Sequence, residues 1–305
     1  MDAIPDLKNI PIERWDNVAF RDKDLQVDVL RLDRIHPDVS GNKWFKLKYY
    51  LRRATLERKQ RLVSFGGAYS NHLVALAEAC RLYGFSSRGF IRGEKPRQLS
   101  HTLQVAIQKG MDLQFLSRQD YLERKKSMPA AADIAVEGDD LIIPEGGAGE
   151  EGIQGASEIL NLVPRVDSYS HICCAVGTGT TVAGLVSAAS QHHQIMGVSV
   201  LKGTKELDPL PESWFNHMPR LSSVQMIHED HFGGYAKSEK MLFDFMNRVF
   251  SESGIPTDFV YTGKLFYSVA RMAAENGFPA GSRILLIHSG GLQGNQSLPA
   301  GLLNF

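Results

Sequence analysis

Short apolar runs alternate with longer amphipathic segments along most of the chain. RLVSF, HICCAV and RILLI are rich in aliphatic residues, which is typical of buried strands. NHLVALAEACRLYG and TTVAGLVSAASQ have the length and apolar spacing of helices. Because a helix usually connects neighbouring parallel strands, this alternation predicts an α/β fold with mostly parallel, twisted sheets flanked by helices.

Glycine-rich turns follow several of the predicted strands. Ligands of open parallel sheets bind beyond the carboxyl ends of the strands, so we expect these turns to converge on one site. The turns are Gly66-Gly67, Gly146-Gly147, Gly177-Thr178-Gly179 and Gly290-Gly291.

The composition favours a two-lobed protein that acts on a small molecule. A chain of 305 residues, 43% of them hydrophobic, exceeds the size at which single cores usually stop growing. Its 34 basic and 34 acidic residues are interspersed along the chain. We therefore expect neither nucleic acid nor a membrane surface as a partner.

Cysteine usage and segment hydropathy predict a cytoplasmic protein. The chain has three cysteines, of which Cys173 and Cys174 are adjacent in an apolar run, so a disulfide framework is not expected. The first residues, MDAIPDLKNIPIERW, lack the apolar core of a signal peptide, and no run approaches membrane-spanning length. The segment Arg124–Asp140 mixes charged with small residues, which predicts a surface connection.

The run HICCAVGTGTTVAGL joins a predicted strand, a glycine and threonine turn, and a helix start. The backbone amides of such a turn, the helix N-terminus and threonine hydroxyls can together bind a phosphate. The run is neither a Walker A sequence nor GxGxxG, so the phosphate of a cofactor fits better than a nucleoside triphosphate. A turn that binds nothing is the alternative.

A second candidate is SFGGAYSNH at residues 64–72, which ends a predicted strand and begins a helix with a hydroxyl, an amide and an imidazole. A helix start of this kind can bind a carboxylate. The alternative is that Ser70 or Asn71 only caps the helix. The chain contains no GxSxG sequence, which disfavours a serine hydrolase.

The third candidate is Lys43, which directly follows the turn Ser40-Gly41-Asn42. A lysine amine is a good nucleophile or base at neutral pH only if it is buried, lies beside other cations or is converted to an imine. Lys46 and Lys48 would then be surface or positioning charges. The alternative for Lys43 is an ordinary solvated side chain.

Six motifs occur in the order found in one enzyme family: SGNKWFKL, SFGGAYSNH, PEGGAGEEGIQG, AVGTGTTVAGL, VYTGK and IHSGG. Over roughly its whole length the chain resembles the pyridoxal-phosphate (PLP) enzymes of the 1-aminocyclopropane-1-carboxylate (ACC) deaminase and D-cysteine desulfhydrase group. The resemblance implies a two-lobed fold-type-II enzyme. The large PLP-binding domain would comprise residues 1–45 and 150–305, and the small domain residues 46–149. Members of the group are commonly dimeric, so we expect a homodimer.

The resemblance also implies roles for individual residues. Lys43 would form the Schiff base with PLP and, once the substrate displaces it, remove the α-proton. Ser70 and Tyr261 would be catalytic with Lys43, and Tyr261 would lie beside the substrate. Asn71 would hydrogen-bond the 3-oxygen of the cofactor ring, and Ser70, Asn71 and His72 would hold the substrate carboxylate. The phosphate would be bound by Gly177, Thr178, Gly179, Thr180 and Thr181.

Two further predicted cofactor contacts, Thr262 and Ser289, favour D-cysteine over ACC as the substrate. ACC deaminases resemble VYEGK, in which a glutamate can pair with the pyridine nitrogen, whereas Thr262 in VYTGK offers a hydrogen bond without a charge. ACC deaminases tend to read HLGG where this chain has Ser289. Both positions are more similar to the desulfhydrases, which resemble YTGK and HTGG.

The expected reaction is therefore β-elimination that converts D-cysteine to pyruvate, ammonia and sulfide. ACC deamination to 2-oxobutanoate and ammonia is the alternative within the family. Trp44, Phe45 and His72 depart from the family pattern, which leaves the identity of the amino-acid substrate open. A PLP-binding protein without catalysis is the alternative from another class, and the glycine spacing disfavours a dinucleotide-dependent oxidoreductase.

Overall fold

The structure, a computed structural model, describes residues 7, 9–127, 139–203 and 207–305. Within these ranges the chain forms two β-sheets flanked by helices. The strands are β1 (Ile12–Arg14), β2 (Gln26–Leu30), β3 (Arg61–Gly66), β4 (Ser86–Arg92), β5 (Met111–Leu116), β6 (Asp140–Ile143), β7 (His171–Val176), β8 (Gln194–Ser199), β9 (Val224–Ile227) and β10 (Arg283–Ile287). The α-helices are α1 (Val18–Arg21), α2 (Asn42–Leu56), α3 (Asn71–Tyr83), α4 (His101–Gln108), α5 (Arg118–Ser127), α6 (Glu150–Ser157), α7 (Thr180–Ala188), α8 (Lys240–Ser253) and α9 (Thr262–Ala274).

The larger sheet has six strands in the order β1-β2-β10-β7-β8-β9. Neighbouring strands are parallel except β1 and β2, which are antiparallel. Ile284 of β10 is in register with Val27 on one side and with His171 on the other. The central strand β7 is buried at every position, as a strand covered on both faces should be.

The smaller sheet has four parallel strands in the order β5-β4-β3-β6. Arg61 of β3 is in register with Ser86 on one side and with Asp140 on the other, and its guanidinium also pairs with the Asp140 carboxylate at 2.8 Å. The α/β architecture with mostly parallel sheets, predicted from the alternating apolar runs, is confirmed.

One apolar core connects the two sheets. It contains Leu30 and Ile287 from the six-stranded sheet, Leu62 from the four-stranded sheet, and Leu47 and Leu76 from the intervening helices α2 and α3, all of them fully buried. The predicted large domain contributes all six strands of one sheet, and residues 46–149 contribute all four of the other. We propose that division on this ground, although its first boundary falls inside α2.

The predicted surface connection at Arg124–Asp140 lies mostly outside the described residues, which stop at 127 and resume at 139. Its ends belong to regular elements, because Arg124 is in α5 and Asp140 begins β6. Among the helices that the structure describes, none is long and apolar enough to cross a membrane.

Candidate active site

A cavity of about 560 Å³ lies beyond the carboxyl ends of strands from both sheets. The turns that follow β3, β6, β7 and β10 all contribute glycines to its wall, so their predicted convergence is confirmed. These glycines are Gly67, Gly146, Gly177, Gly179, Gly290 and Gly291.

The predicted Schiff-base lysine, Lys43, is in the first turn of α2 and lines the cavity. Its Nζ donates a hydrogen bond to Oδ1 of Asn42 at 2.7 Å and lies 5.8 Å from the centroid of the Tyr261 ring. Burial lowers the pKa of Lys43 to about 8, although the Asp258 carboxylate opposes this shift. A larger share of this amine is therefore neutral near pH 7 than of an exposed lysine.

The turn before α2 has no room for a side chain at Gly41. The φ angle of Gly41 is 65°, and a Cβ there would lie 1.9 Å from the carbonyl oxygen of Ser289. The Asn42 N–H donates to the same oxygen at 3.3 Å. This close approach to the glycine turn after β10 fixes where α2 begins and where Lys43 enters the cavity.

Lys46 is buried in the cavity wall, with 5% of its surface exposed, which excludes a surface charge and leaves the alternative of a positioning group. Burial, followed by the charge of Lys43, lowers the pKa of Lys46 well below its ordinary value. Within the described ranges no hydrogen-bond partner of its Nζ is found. Lys48 is half-buried and paired with Glu158. A buried amine with a lowered pKa and no partner among the described residues takes up a proton most readily when an anionic group of a ligand lies beside it.

The glycine and threonine turn after β7 leads into α7, whose first-turn amides have no side-chain cap. Thr181 accepts a hydrogen bond from Nδ2 of Asn42 at 2.7 Å, which leaves its own O–H available as a donor. Thr178 and Thr180 hydroxyls lie 3.1 Å apart, and Thr178 and Thr181, but not Thr180, line the cavity. Free amides at a helix N-terminus and hydroxyl donors are the groups that bind phosphate.

At the start of α3, Ser70 both caps the helix and lies at the cavity, so capping does not exclude a place at a ligand site. Its Oγ accepts from the Leu73 N–H at 3.4 Å and so caps the helix, while the residue also lines the cavity. Asn71 is buried, lines the cavity and has an Oδ1 atom with no partner among the described residues. Unpaired buried polar atoms are rare in proteins, and this one lies in a ligand-sized cavity.

His72 has a defined proton arrangement. Ser64 donates its single hydroxyl hydrogen to the Ile143 carbonyl at 2.8 Å, so the His72 Nε2 at 2.8 Å from Ser64 Oγ must carry a proton. Nδ1 then bears a lone pair and has no partner among the described residues. Burial, and then Lys43 and Lys46, lower the pKa of His72 to about 3, so the ring is neutral. A neutral ring with a free Nδ1 lone pair accepts hydrogen bonds, which does not support the predicted contact with a carboxylate.

Tyr261 lines the cavity immediately before α9. Burial first, and then Tyr235 and Asp258, raise the pKa of Tyr261 well above its ordinary value. Its phenol therefore stays protonated at neutral pH and can donate a hydrogen bond. The ring of Tyr235 meets that of Tyr261 nearly edge-on, with centroids 6.2 Å apart, and also lines the cavity.

The structure does not bring Thr262 to the cavity wall. The side chain is fully buried, and its hydroxyl accepts from the Asp258 N–H and donates to Asp258 Oδ1, both at 2.8 Å. These bonds do not support its predicted contact with the pyridine nitrogen. Ser289 is buried and lines the cavity, and its contact with the cofactor stays a prediction.

Three residues of the site were missed as functional groups from the sequence. Asn42 connects Lys43 to Thr181, Lys46 brings a second buried amine to the cavity, and Tyr235 packs against Tyr261. The spacing of Lys43 and Lys46 puts them on one face of a helix, a signal that could have revealed the second lysine. No comparable signal exists for Tyr235, which is in an irregular segment.

The family model of pyridoxal-phosphate dependent enzymes matches residues 5–290. The chain belongs to this family. A Thermotoga maritima protein with the provisional name 1-aminocyclopropane-1-carboxylate deaminase is 30% identical over 84% of this chain and 85% of its own length. The Arabidopsis thaliana bifunctional D-cysteine desulfhydrase/1-aminocyclopropane-1-carboxylate deaminase is 26% identical over 93% of this chain and 76% of its own.

A crystal structure of an ACC deaminase homologue superposes with a TM-score of 0.77 at 26% identity, over 96% of this chain and 94% of the other. These likenesses confirm the predicted family and its fold-type-II architecture. The chain is therefore an enzyme that depends on pyridoxal phosphate.

The residues of this pyridoxal-phosphate dependent enzyme fit its cofactor. The first-turn amides of α7 and the Thr181 hydroxyl provide donors for a phosphate, and a phosphate beside the buried Lys46 would favour the protonated form of that amine. The amine of Lys43, which reaches the same cavity and has a lowered pKa, suits reaction with an aldehyde.

Proposed function

We propose that the enzyme is a lyase that catalyses β-elimination from a small amino acid, most specifically the conversion of D-cysteine to pyruvate, ammonia and sulfide. The observation that carries the proposal is the amine of Lys43. It lies in the cavity and has a pKa of about 8. The start of α7, which suits a phosphate, and the polar side chains at the start of α3 line the same cavity. The names of the relatives, which include both deaminase and desulfhydrase, support this reaction class.

The cofactor and the residues that line the cavity have separate roles in this proposal. Bound PLP supplies an electron sink for the charge that develops when the α-proton leaves. Lys43 accepts that proton, which its lowered pKa permits near neutral pH. The first-turn amides of α3, with Ser70 at the cavity, hold the substrate carboxylate. Tyr261, protonated and beside Lys43, donates a hydrogen bond to the substrate or its leaving group.

The choice of D-cysteine over ACC depends on the weak electron withdrawal that this site provides. No acidic side chain follows Tyr261, and the carboxylate of Asp258 is occupied by the amides of residues 260–262. Loss of thiolate after removal of the α-proton requires less electron withdrawal by the cofactor than opening a cyclopropane whose α-carbon carries no proton. Ser289, where ACC deaminases tend to have leucine, supports the desulfhydrase assignment by resemblance.

The test is release of sulfide and pyruvate from D-cysteine by the PLP-loaded enzyme. We expect release that disappears in Lys43→Ala and persists in the matched control Lys240→Ala, whose ammonium is exposed and paired with Asp244 one turn away. Parallel assays with L-cysteine and ACC measure the specificity.

Three results would contradict the proposal in different ways. Turnover of ACC without turnover of D-cysteine would assign the deaminase reaction instead. Turnover that survives in Lys43→Ala would remove this lysine from the chemistry. PLP bound to Lys43 without turnover of either substrate would favour a binding protein without catalysis.

A further inference from the structure

The loop of residues 231–237, between β9 and α8, has an unfavourable backbone conformation. Phe232, Gly233, Gly234 and Ala236 have φ angles of 50°, 87°, 113° and 52°. Non-glycine residues rarely adopt positive φ, because the side chain crowds the backbone, and two of them fall in this loop. Contacts from elsewhere in the molecule must therefore hold the loop in this shape.

Lys264 provides such contacts from inside the protein. Its side chain is fully buried, and its Nζ donates to the carbonyl oxygens of His231 at 2.9 Å and Gly234 at 2.8 Å. These two carbonyls belong to the residues on either side of Phe232 and Gly233, which both have positive φ angles. The same two oxygens also accept from the backbone amides of Gly234 and Lys237, so the ammonium completes the loop's own hydrogen bonds.

The position of Lys264 is not explained by the stability of α9 itself. It is in the first turn of that helix, where the positive end of the helix dipole disfavours a cation, and burial disfavours it further. The Asp258 carboxylate, which accepts from the first amides of α9, offsets part of this cost. The two hydrogen bonds from its ammonium to loop carbonyls therefore account for a buried cation at this unfavourable helix end.

The loop in turn places Tyr235 in the wall of the cavity. The Tyr235 hydroxyl donates to the carbonyl oxygen of Tyr69 at 3.1 Å, and Tyr69 immediately precedes Ser70 at the start of α3. The ring of Tyr235 also packs against Tyr261. Tyr235 thus joins the six-stranded sheet's loop to the turn that follows β3 in the four-stranded sheet.

We propose that Lys264 is a positioning residue that holds the loop of residues 231–237, and that through this loop it sets Tyr235 in the cavity wall and against Tyr261. Lys264 does not line the cavity, whereas Gly233, Gly234 and Tyr235 do, so it acts on the substrate only through the loop. The kinetic consequence rests on the proposed function, whereas the control of the loop does not.

Amide hydrogen exchange of the cofactor-free protein tests the control of the loop. In Lys264→Met the amides of Gly233, Gly234 and Lys237 should exchange about tenfold faster or more, as expected when a hydrogen bond to a charged group is lost. Tyr235→Phe should leave these amides protected, because the Lys264 ammonium still binds the two loop carbonyls in that variant. Lys240→Met, a change in an exposed lysine of the neighbouring helix, is the control. Unchanged exchange in Lys264→Met would overturn the proposal.

Steady-state kinetics with D-cysteine test the route through Tyr235. We expect Lys264→Met to raise KM at least about tenfold with a smaller loss of kcat, and the double variant with Tyr235→Phe to lose no more than Lys264→Met alone. Losses that add in the double variant would overturn the route. If Lys264→Met does not fold, Gly234→Ala distorts the loop directly, since its φ of 113° disfavours a side chain, and must give the same KM change. If the wild-type protein does not act on D-cysteine, the exchange experiment alone decides the proposal.

Discussion

At the scale of single residues, the site depends on two lysine amines three positions apart on one helix. Lys43 and Lys46 both line the cavity, and after burial the charge of Lys43 disfavours a proton on Lys46. Lys46 has no partner among the described residues, which suits a permanent anion such as a phosphate. Lys43 keeps a pKa of about 8, which suits a group that must be charged in one step and neutral in another.

The lowered pKa of Lys43 predicts how the cofactor-free protein reacts with an amine-selective acylating reagent. Only the neutral amine reacts, so the labelling rate of Lys43 should rise with pH and reach half its maximum near pH 8. Peptide mass spectrometry at several pH values measures this rate for each lysine separately. A half-maximum near pH 10, as for an ordinary lysine, would contradict the burial argument.

The residue scale is also where sequence reasoning is weakest. Lys43 could be selected from its place behind a turn and from the family resemblance, whereas the spacing of Lys46 shows only that it shares a helix face with Lys43 and not how deeply it is buried. The hydroxyl of Thr262 looked available for a ligand, yet the fold places Asp258 where it takes both the donor and the acceptor of that hydroxyl. Which partner a side chain has is decided by residues that the local sequence does not specify.

At the scale of elements, the site is assembled from the ends of strands and the starts of helices. α2, α3 and α7 all begin at the cavity, and the turns before them contain glycines with restricted surroundings. The apolar runs predicted β3, β7 and β10 closely, because continuous burial leaves a clear signal. The short strands β2 and β9 were not predicted, since their mixed sequences QVDVL and VQMI resemble many loops.

The beginning of α2 yields a prediction with a matched control. Gly41→Ala should destabilise the cofactor-free protein by about 3 kcal/mol or more, because it combines a positive φ with a Cβ 1.9 Å from the Ser289 oxygen. Gly84→Ala, at the end of α3, has a φ of 77° but no atom within 4 Å of the new Cβ, so it should cost only about 1 kcal/mol.

Urea denaturation of the two variants and the wild-type protein measures both effects. Equal losses in Gly41→Ala and Gly84→Ala would mean that the contact between Gly41 and Ser289 adds nothing beyond backbone strain. In that case the close approach of the two turns would not determine where α2 begins.

At the scale of the whole molecule, two sheets are held side by side by a shared apolar core, and the cavity lies beyond the strand ends of both. The chain crosses between the sheets twice, since the strands of the smaller sheet are all inserted between β2 and β7. A ligand in the cavity contacts residues from both sheets, so its binding should stabilise the fold as a unit.

PLP at about 100 times its Kd should therefore add roughly 2.7 kcal/mol to the stability of the cofactor-free protein, which calorimetry or a dye-based thermal scan detects as a higher Tm. Pyridoxal, which lacks the phosphate, should raise the Tm much less at the same concentration, because the α7 amides and Lys46 then have no anion to bind. Equal shifts in Tm with the two compounds would contradict the assignment of the α7 amides and Lys46 to the phosphate.

The sequence by itself determined the α/β class, the candidate lysine and the glycine turns, because burial, periodicity and turn chemistry are local properties. The tertiary structure decided which groups meet. The neutral state of His72 depends on burial and then on two lysines, the lowered pKa of Lys46 depends on burial and then on Lys43, and Tyr235 reaches Tyr69 from 166 positions away. Charge states and hydrogen-bond partners are set by distance and solvent exclusion in three dimensions, which residue spacing along a chain does not contain.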